Sequence, residues 1–550
     1  MPNIKTFKRI VILFLSIIIL VAIAQLSFTL VLDDKIKDYL VKEVKSGSKS
    51  LYHLEISKLQ VNIFRQSVLF KGITINPVDS NSRHASYYAS ADVIKISDIA
   101  IWQYLLHRNI FSSKIEFTNP SASIYRGSQK VVKDSLDNDR FSIYRLLLPA
   151  VRSVEISSIV IHNASIKVFD NISDLLPVLG SDENELRIIK LKIDKEAEEG
   201  KRWFNAKELA ISINNVDYST KDSLYTFKIR SLNASYLDST LSFDALKMTP
   251  NYSKMNFGNM AGKQIDRIKV SVEELQFDQM DIKAFFETGN FIAKSTKLKK
   301  PLVEAFRDKN DKRKPWHPES LQNLIKSIPV STNIDSLFVE DGQVVYEEVA
   351  PGARKAGRIF FKKMNGSITG ISNDSLNYTA SSKIIVNVTA KLMDVAKIKV
   401  YLSIPLNTNQ MVFDCSGHLS SMHLKELNDM TEENAGVSIR GGELDSMSFS
   451  FKADQIRATG KMIFAYHDLD FSIKNKKTGK SGFKEDALSW VARNFIVKKS
   501  NPTTGEDLRI TSINYERNPS RFMFNYTFKA LMSGIKPALG VKSRQKEEQD

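Results

Sequence analysis

The chain has one cysteine, Cys415, in 550 residues. That excludes an intramolecular disulfide and any closed zinc or iron–sulfur site built from the cysteines of one chain. Glycine (23) and proline (15) are scarce, which removes the collagen-like and low-complexity classes. Glycine patterns that cradle phosphate are missing as well. Gly479-Lys480-Ser481 ends like a P-loop, but Lys474 stands where the first glycine belongs, so the segment reads as a basic surface turn. No G-x-S-x-G, H-E-x-x-H or Rossmann glycine spacing occurs. Cys415, His418 and His423 lie close together but fit no closed metal spacing. His467 and Asp468 are neighbours in an alternating segment, so their side chains point to opposite faces. The expectation is a non-enzyme with no cofactor and no metal.

What is present is an ordinary folding composition, 42% hydrophobic and 25% charged, with a formal net charge of +16. Such a charge suits nucleic acid or an anionic membrane surface. The N-terminus decides between them. Ile10 to Leu32 is a run of 23 residues without a charge, preceded by Lys5, Lys8 and Arg9. At about 1.5 Å per residue it is long enough to cross a bilayer core. The basic flank leaves residues 1–9 as a cytoplasmic tail and sends the rest across. The rival reading is a signal peptide cleaved after Ala22-Ile23-Ala24, although the apolar run continues past that point to Leu32. With the bulk of the chain across a membrane, nucleic acid is not an expected partner.

The remainder alternates apolar and polar residues with a period of two, the mark of strands with one buried face. Ile268 to Val272 and Met447 to Phe451 alternate cleanly. A loose repeat of strand, short turn and strand appears in Lys114 to Tyr125, Val154 to Phe169 and Ile334 to Tyr346. Their expected turns are Asn119-Pro120, Asn163 and Asp341-Gly342. Short helices are expected over 98–108, 141–151, 318–328, 422–430 and 486–496. The predicted fold is mainly β with few short helices: a transmembrane helix, then a long meandering antiparallel, groove-like sheet. The expected division is an anchor over 10–32, a β domain over 33–293 and a basic linker or insertion over 294–330. A second β region over 331–480 and a closing strand and helix over 481–550 follow. The sequons at Asn163, Asn365 and Asn387 read as coincidental in a chain rich in Asn and Ser.

The order of segments resembles bacterial AsmA-like proteins. One N-terminal membrane helix leads to Leu54 to Pro77, Val93 to Asn109 and Ile110 to Arg126. In the second half, Ile334 to Glu348, Gly357 to Ile371, Val437 to Phe451 and Tyr515 to Gly534 look like AsmA-type C-terminal segments of Bacteroidota. The resemblance implies an inner-membrane-anchored periplasmic protein of a Gram-negative bacterium. It also implies a role in outer-membrane biogenesis and in moving phospholipid between the two membranes. Expected partners are then phospholipid acyl chains, anionic headgroups and an envelope protein.

The residues themselves leave three uses of an apolar face open: a lipid groove, a closed sandwich, or a surface for a protein partner. A continuous apolar stripe without inward charge argues for lipid, and a helix plugging the face argues for scaffolding. Val61, Ile63, Val68 and Phe70 are the candidate lipid-facing residues. The segment from Phe522 to Ser533 is expected to be a helix with an apolar stripe of Phe524, Phe528, Leu531 and Met532, stopped by Gly534 and Pro537. It either caps the sheet or docks on a membrane or partner through Lys529, Lys536, Lys542 and Arg544.

Overall fold

A computed structural model describes residues 33–42, 44–46, 50–78, 86–100, 103, 106–126, 152–171, 173–194, 206–314, 318–473 and 497–541. The expected anchor over 10–32, the helices expected over 141–151 and 486–496, the turn at 479–481, Lys542 and Arg544 lie outside these residues, as do residues 101, 102, 104 and 105 of the helix expected over 98–108. Among the described residues, no helix is long and apolar enough to cross a membrane. Strand dominates and the helices are short, in line with the alternating pattern. The chain forms two compact units, Met1–Tyr218 with Arg230–Asp238, and Ser219–Ile229 with Ser239–Asp550. Each is built on a large mixed sheet.

The first unit runs β1 (Tyr52–Asn62), β2 (Ser67–Pro77), β3 (Ser86–Ser97), β4 (Asn109–Thr118), β5 (Ser121–Tyr125), β6 (Ser153–Phe169), β7 (Leu179–Ile193) and β8 (Glu208–Ser219). β1, β2 and β3 pair antiparallel. β3 then pairs with both β4 and β5, which are one strand interrupted at Asn119-Pro120. β6 lies parallel to both halves, and β7 and β8 follow antiparallel. Residues of β9 (Tyr225–Ser235) divide between the units.

The second unit repeats the device. β10 (Thr240–Pro250) pairs antiparallel with β11 (Arg267–Met280). β11 pairs with β12 (Phe291–Lys299) and β13 (Leu302–Asp308), one strand broken at Lys300-Pro301. β14 (Thr332–Val349) lies parallel to both halves. β15 (Gly357–Ser372), β16 (Lys383–Leu392), β17 (Ala396–Pro405) and β18 (Phe413–Leu419) continue antiparallel. After β19 (Met422–His423), the order closes through β20 (Val437–Ala453), β21 (Arg457–Ile473) and β22 (Ile510–Glu516).

The expected all-antiparallel meander is therefore corrected to a mixed sheet. Parallel neighbours need a crossover, and the chain between β5 and β6, and again between β13 and β14, supplies one. The expected hairpins are also corrected. Val154 to Phe169 lies within one strand, β6, and Ile334 to Tyr346 within another, β14. Asn163 and Asp341 have φ of 55° and 50° and mark bulges at which the antiparallel register shifts. Asn and Asp tolerate the left-handed region in a bulge as well as in a tight turn, and only the neighbouring strands distinguish the two. The breaks match in detail. Asn119 N–H donates to His162 O at 3.0 Å, and Lys300 N–H to Glu340 O at 2.8 Å.

The basic stretch Lys294 to Lys314, expected as a linker, carries most of β12 and all of β13 instead. Its lysines do not repel one another apart because β11 supplies acids. Lys299 Nζ meets Glu274 Oε2 at 2.6 Å, and Lys297 Nζ lies 3.7 Å from Asp278 Oδ2. The helix at 318–328 forms over Leu321–Lys326. The one expected over 422–430 gives β19, a 3-10 turn at Leu424–Leu427 and a helix at Asn428–Ala435.

Candidate functional site

The candidate site is the apolar face of the first unit's sheet. Register places its residues in rows. One row joins Val68, Ile96, Ile115, Ile159 and Ile188. The next joins Phe70, Ile94, Phe117, Ile161 and Leu186. Beyond the bulges a further row joins Ile75, Ala89, Ala122, Ile166 and Ser181. No charged side chain interrupts these rows.

A line of backbone irregularities keeps the face continuous. Asn119, Asn163, Glu183 and Asn215 all have positive φ, at 50°, 55°, 53° and 49°. A strand that gains one residue at a bulge flips its later side chains to the other face. Because neighbouring strands gain their residue at the same level, the apolar residues stay on one side. Side-chain amides tie part of the line together. Asn163 Nδ2 donates to Asn119 Oδ1 at 2.8 Å, Asn119 Nδ2 to Asp92 Oδ2 at 2.7 Å, and Asn215 Nδ2 to Asp182 Oδ1 at 2.7 Å. This is also what the Asn163 sequon does in the fold.

The four sequence-predicted lipid-facing residues come together at one end of this face. Val61 and Val68 are register partners, Phe70 pairs with Leu59, and Ile63 packs beside them. Val61 is buried, and Ile63, Val68 and Phe70 are half-buried. Ile36, Leu40, Val41 and Val44 from the helical residues 33–42 and 44–46 pack onto the same cluster. Farther along, the cluster around Val154 and Ile156 contains, among the described residues, only strand residues: Ile110, Ile115, Ile159, Leu191 and Ile193. Ile159, Ile161 and Ile188 stay half-buried, and Ile166 is 39% exposed. Among the described residues, the part of the face with no second layer therefore lies on β4 to β7, where no candidate residue was expected. The alternation in Val154 to Phe169 carried that signal.

The C-terminal part of the second unit is the opposite case. A helix, Met523–Ala538, lies on β21 and β22. Its buried stripe is Tyr526, Ala530, Gly534 and Ala538, at steps of four. Phe528, Leu531 and Met532 are only half-buried and Phe524 is exposed, its ring 5.4 Å from that of Tyr346. The helix also runs through Gly534 and Pro537, its expected stop. Gly534 serves a close approach instead. A Cβ there would lie 3.0 Å from Ile513 Cγ1 and Met462 Sδ, and Thr511 Oγ1 donates to Gly534 O at 2.8 Å. Pro537 falls in the last turn.

Cys415 sits under this core at 2% exposure, and burial pushes its thiol up to about 12. His418, three residues on, is exposed and shares a hydrogen bond of 2.9 Å with Ser448 Oγ. His423 pairs with Glu443, and His467 Nδ1 lies 2.9 Å from Asp445 Oδ1. The three residues Cys415, His418 and His423 thus have separate neighbours. No protein-family model matches the chain, and no curated protein matches it.

Proposed function

We propose that the protein is a membrane-anchored, periplasmic AsmA-like protein that handles phospholipid between inner and outer membrane and supports outer-membrane biogenesis. It works without chemistry of its own. The observation that supports this reading is the charge-free apolar face on β4 to β7, which no second layer covers among the described residues. Each methylene laid on such a face gains about 0.8 kcal/mol when fully buried, so an acyl chain binds without dedicated ligand residues. The test is mass spectrometry of lipids that accompany residues 33–550 purified without detergent. Phospholipid at a defined ratio to protein is the expected result, and its absence would sink the reading.

A second reading is a non-transporting envelope scaffold for outer-membrane proteins. The helix Met523–Ala538 favours it for the second unit, because it occupies the face that lipid would need. Photo-crosslinking from Ile159 and Ile166 in cells separates the two. Lipid adducts support carriage, and adducts with protein alone support the scaffold.

A further inference from the structure

A cluster of cations, Arg307 buried and the others half-buried, lies where the C-terminal helix begins, within the second unit. Its sheet side comes from β13 and β14. Arg307 and Glu348 are register partners there, and Lys309 follows just past the end of β13. Arg307 is 5% exposed. Its Nη1 donates to Asp266 Oδ1 at 3.1 Å and its Nη2 to Gln264 Oε1 at 3.2 Å. Its Nε is buried with no hydrogen-bond partner. Lys309 Nζ lies 2.7 Å from Glu348 Oε1, and the Tyr346 hydroxyl donates to Glu348 Oε2 at 2.6 Å.

The helix side brings Arg521 and Lys529. Arg521 Nη1 is also buried with no partner. Burial, then the nearby Arg307, holds the Arg521 guanidinium below its ordinary value. Burial likewise holds the Lys309 amine down against the pull of Glu348, and Lys529 and Arg521 add like charge. Three cations, Arg307, Lys309 and Arg521, thus share two carboxylates, Asp266 and Glu348, and Lys529 adds a fourth positive charge beside Lys309. The helix itself has no side-chain cap at Phe522 and no acid in its first turn.

Burying like charges side by side is costly unless an anion lies between them. A helix N-terminus favours negative charge, and guanidinium groups match phosphate oxygens in number and direction. We propose that this cluster binds a phosphate group, held by Arg307, Arg521 and Lys529 at the first turns of the C-terminal helix. The adjoining rows Val303–Val344 and Ala305–Tyr346 are apolar or aromatic. A phosphate mono- or diester carrying an apolar body fits as well as free phosphate. This site belongs to the second unit and does not need lipid carriage by the first.

The test uses the full chain in uncharged detergent, with unfolding temperature read in sodium phosphate and in sodium chloride at equal ionic strength and pH. Phosphate is expected to raise it by about 2 °C or more. Arg521→Gln should abolish the rise while keeping its chloride value, because repulsion with Arg307 is relieved. Lys529→Gln should reduce the rise, and it carries the comparison if Arg521→Gln does not fold. Dihexanoyl phosphatidate tells the sources apart. A rise at about tenfold lower concentration than phosphate needs marks a lipid headgroup, and equal potency marks free phosphate. No rise in the wild type, or an undiminished rise in both variants, would overturn the proposal.

Discussion

The first unit and the C-terminal part of the second unit use the same period-two strands to opposite ends. In the second, Phe413, Met462 and Ile513 are each 1% exposed beneath a helix. In the first, Ile159, Ile161 and Ile188 hold equivalent inward positions and stay half-buried. The strands do not make this difference. Among the described residues it comes from a helix whose small residues Ala530, Gly534 and Ala538 let its backbone settle onto β21 and β22. An alternating sheet therefore specifies an apolar face, and a separate stretch of chain decides whether that face is free.

The contrast is broken most severely at the helix. Tyr526→Ala removes a side chain that is 1% exposed, packs edge-on against Phe413 and donates to Asp454 O at 3.1 Å. We expect a loss of about 3–5 kcal/mol by urea unfolding, confined to the second unit. Gly534→Leu forces the helix away from Ile513 and Met462. It should cost about 1–3 kcal/mol or more and leave Cys415 open to alkylation under native conditions. In the first unit, Ile159→Ser should cost only about 1 kcal/mol, because the side chain is already half in water. It should nevertheless lower co-purifying lipid, measured per mole of protein. A large stability loss with unchanged lipid would reverse the assignment of the two faces.

The smallest effect lies on the outer face. Asp445 raises the His467 imidazole above its ordinary 6.5 by a hydrogen bond and by its charge. A raised value means that this stabilisation is full below the unfolded pKa and is lost as pH rises through the folded one. The unfolding temperatures of wild type and His467→Asn should differ at acidic pH and converge on the alkaline side. A difference independent of pH would remove the ion pair from the account.

Much of the fold was legible because burial leaves a period of two in the residues, as at Ile268 to Val272 on β11 and Met447 to Phe451 on β20. The bulges were not. Asn163 and Asp341 look the same in a hairpin and in a bulge, and only the parallel strand alongside distinguishes them. The apolar character of Val61, Ile63, Val68 and Phe70 was readable, but the packing of Ile36, Leu40, Val41 and Val44 onto their cluster was not, since contact over such spacing is a tertiary fact. The cation cluster was hidden most completely. Arg307 and Lys309 read as solvated charge in a basic run, and Arg521 lies more than two hundred residues away. The helix start meets β14 where the Phe524 ring lies beside that of Tyr346, and that contact joins them.

Thiol accessibility tests the central contrast directly. In a Cys415→Ser background, Ile166→Cys and Ile513→Cys each put one thiol on an inward face, the first on β6, which is uncovered among the described residues, and the second beneath the helix. Labelling by a polar maleimide under native conditions should be fast at position 166 and should require unfolding at position 513. Equal protection at both positions would mean that the face of the first unit is covered as well, and would contradict an open site.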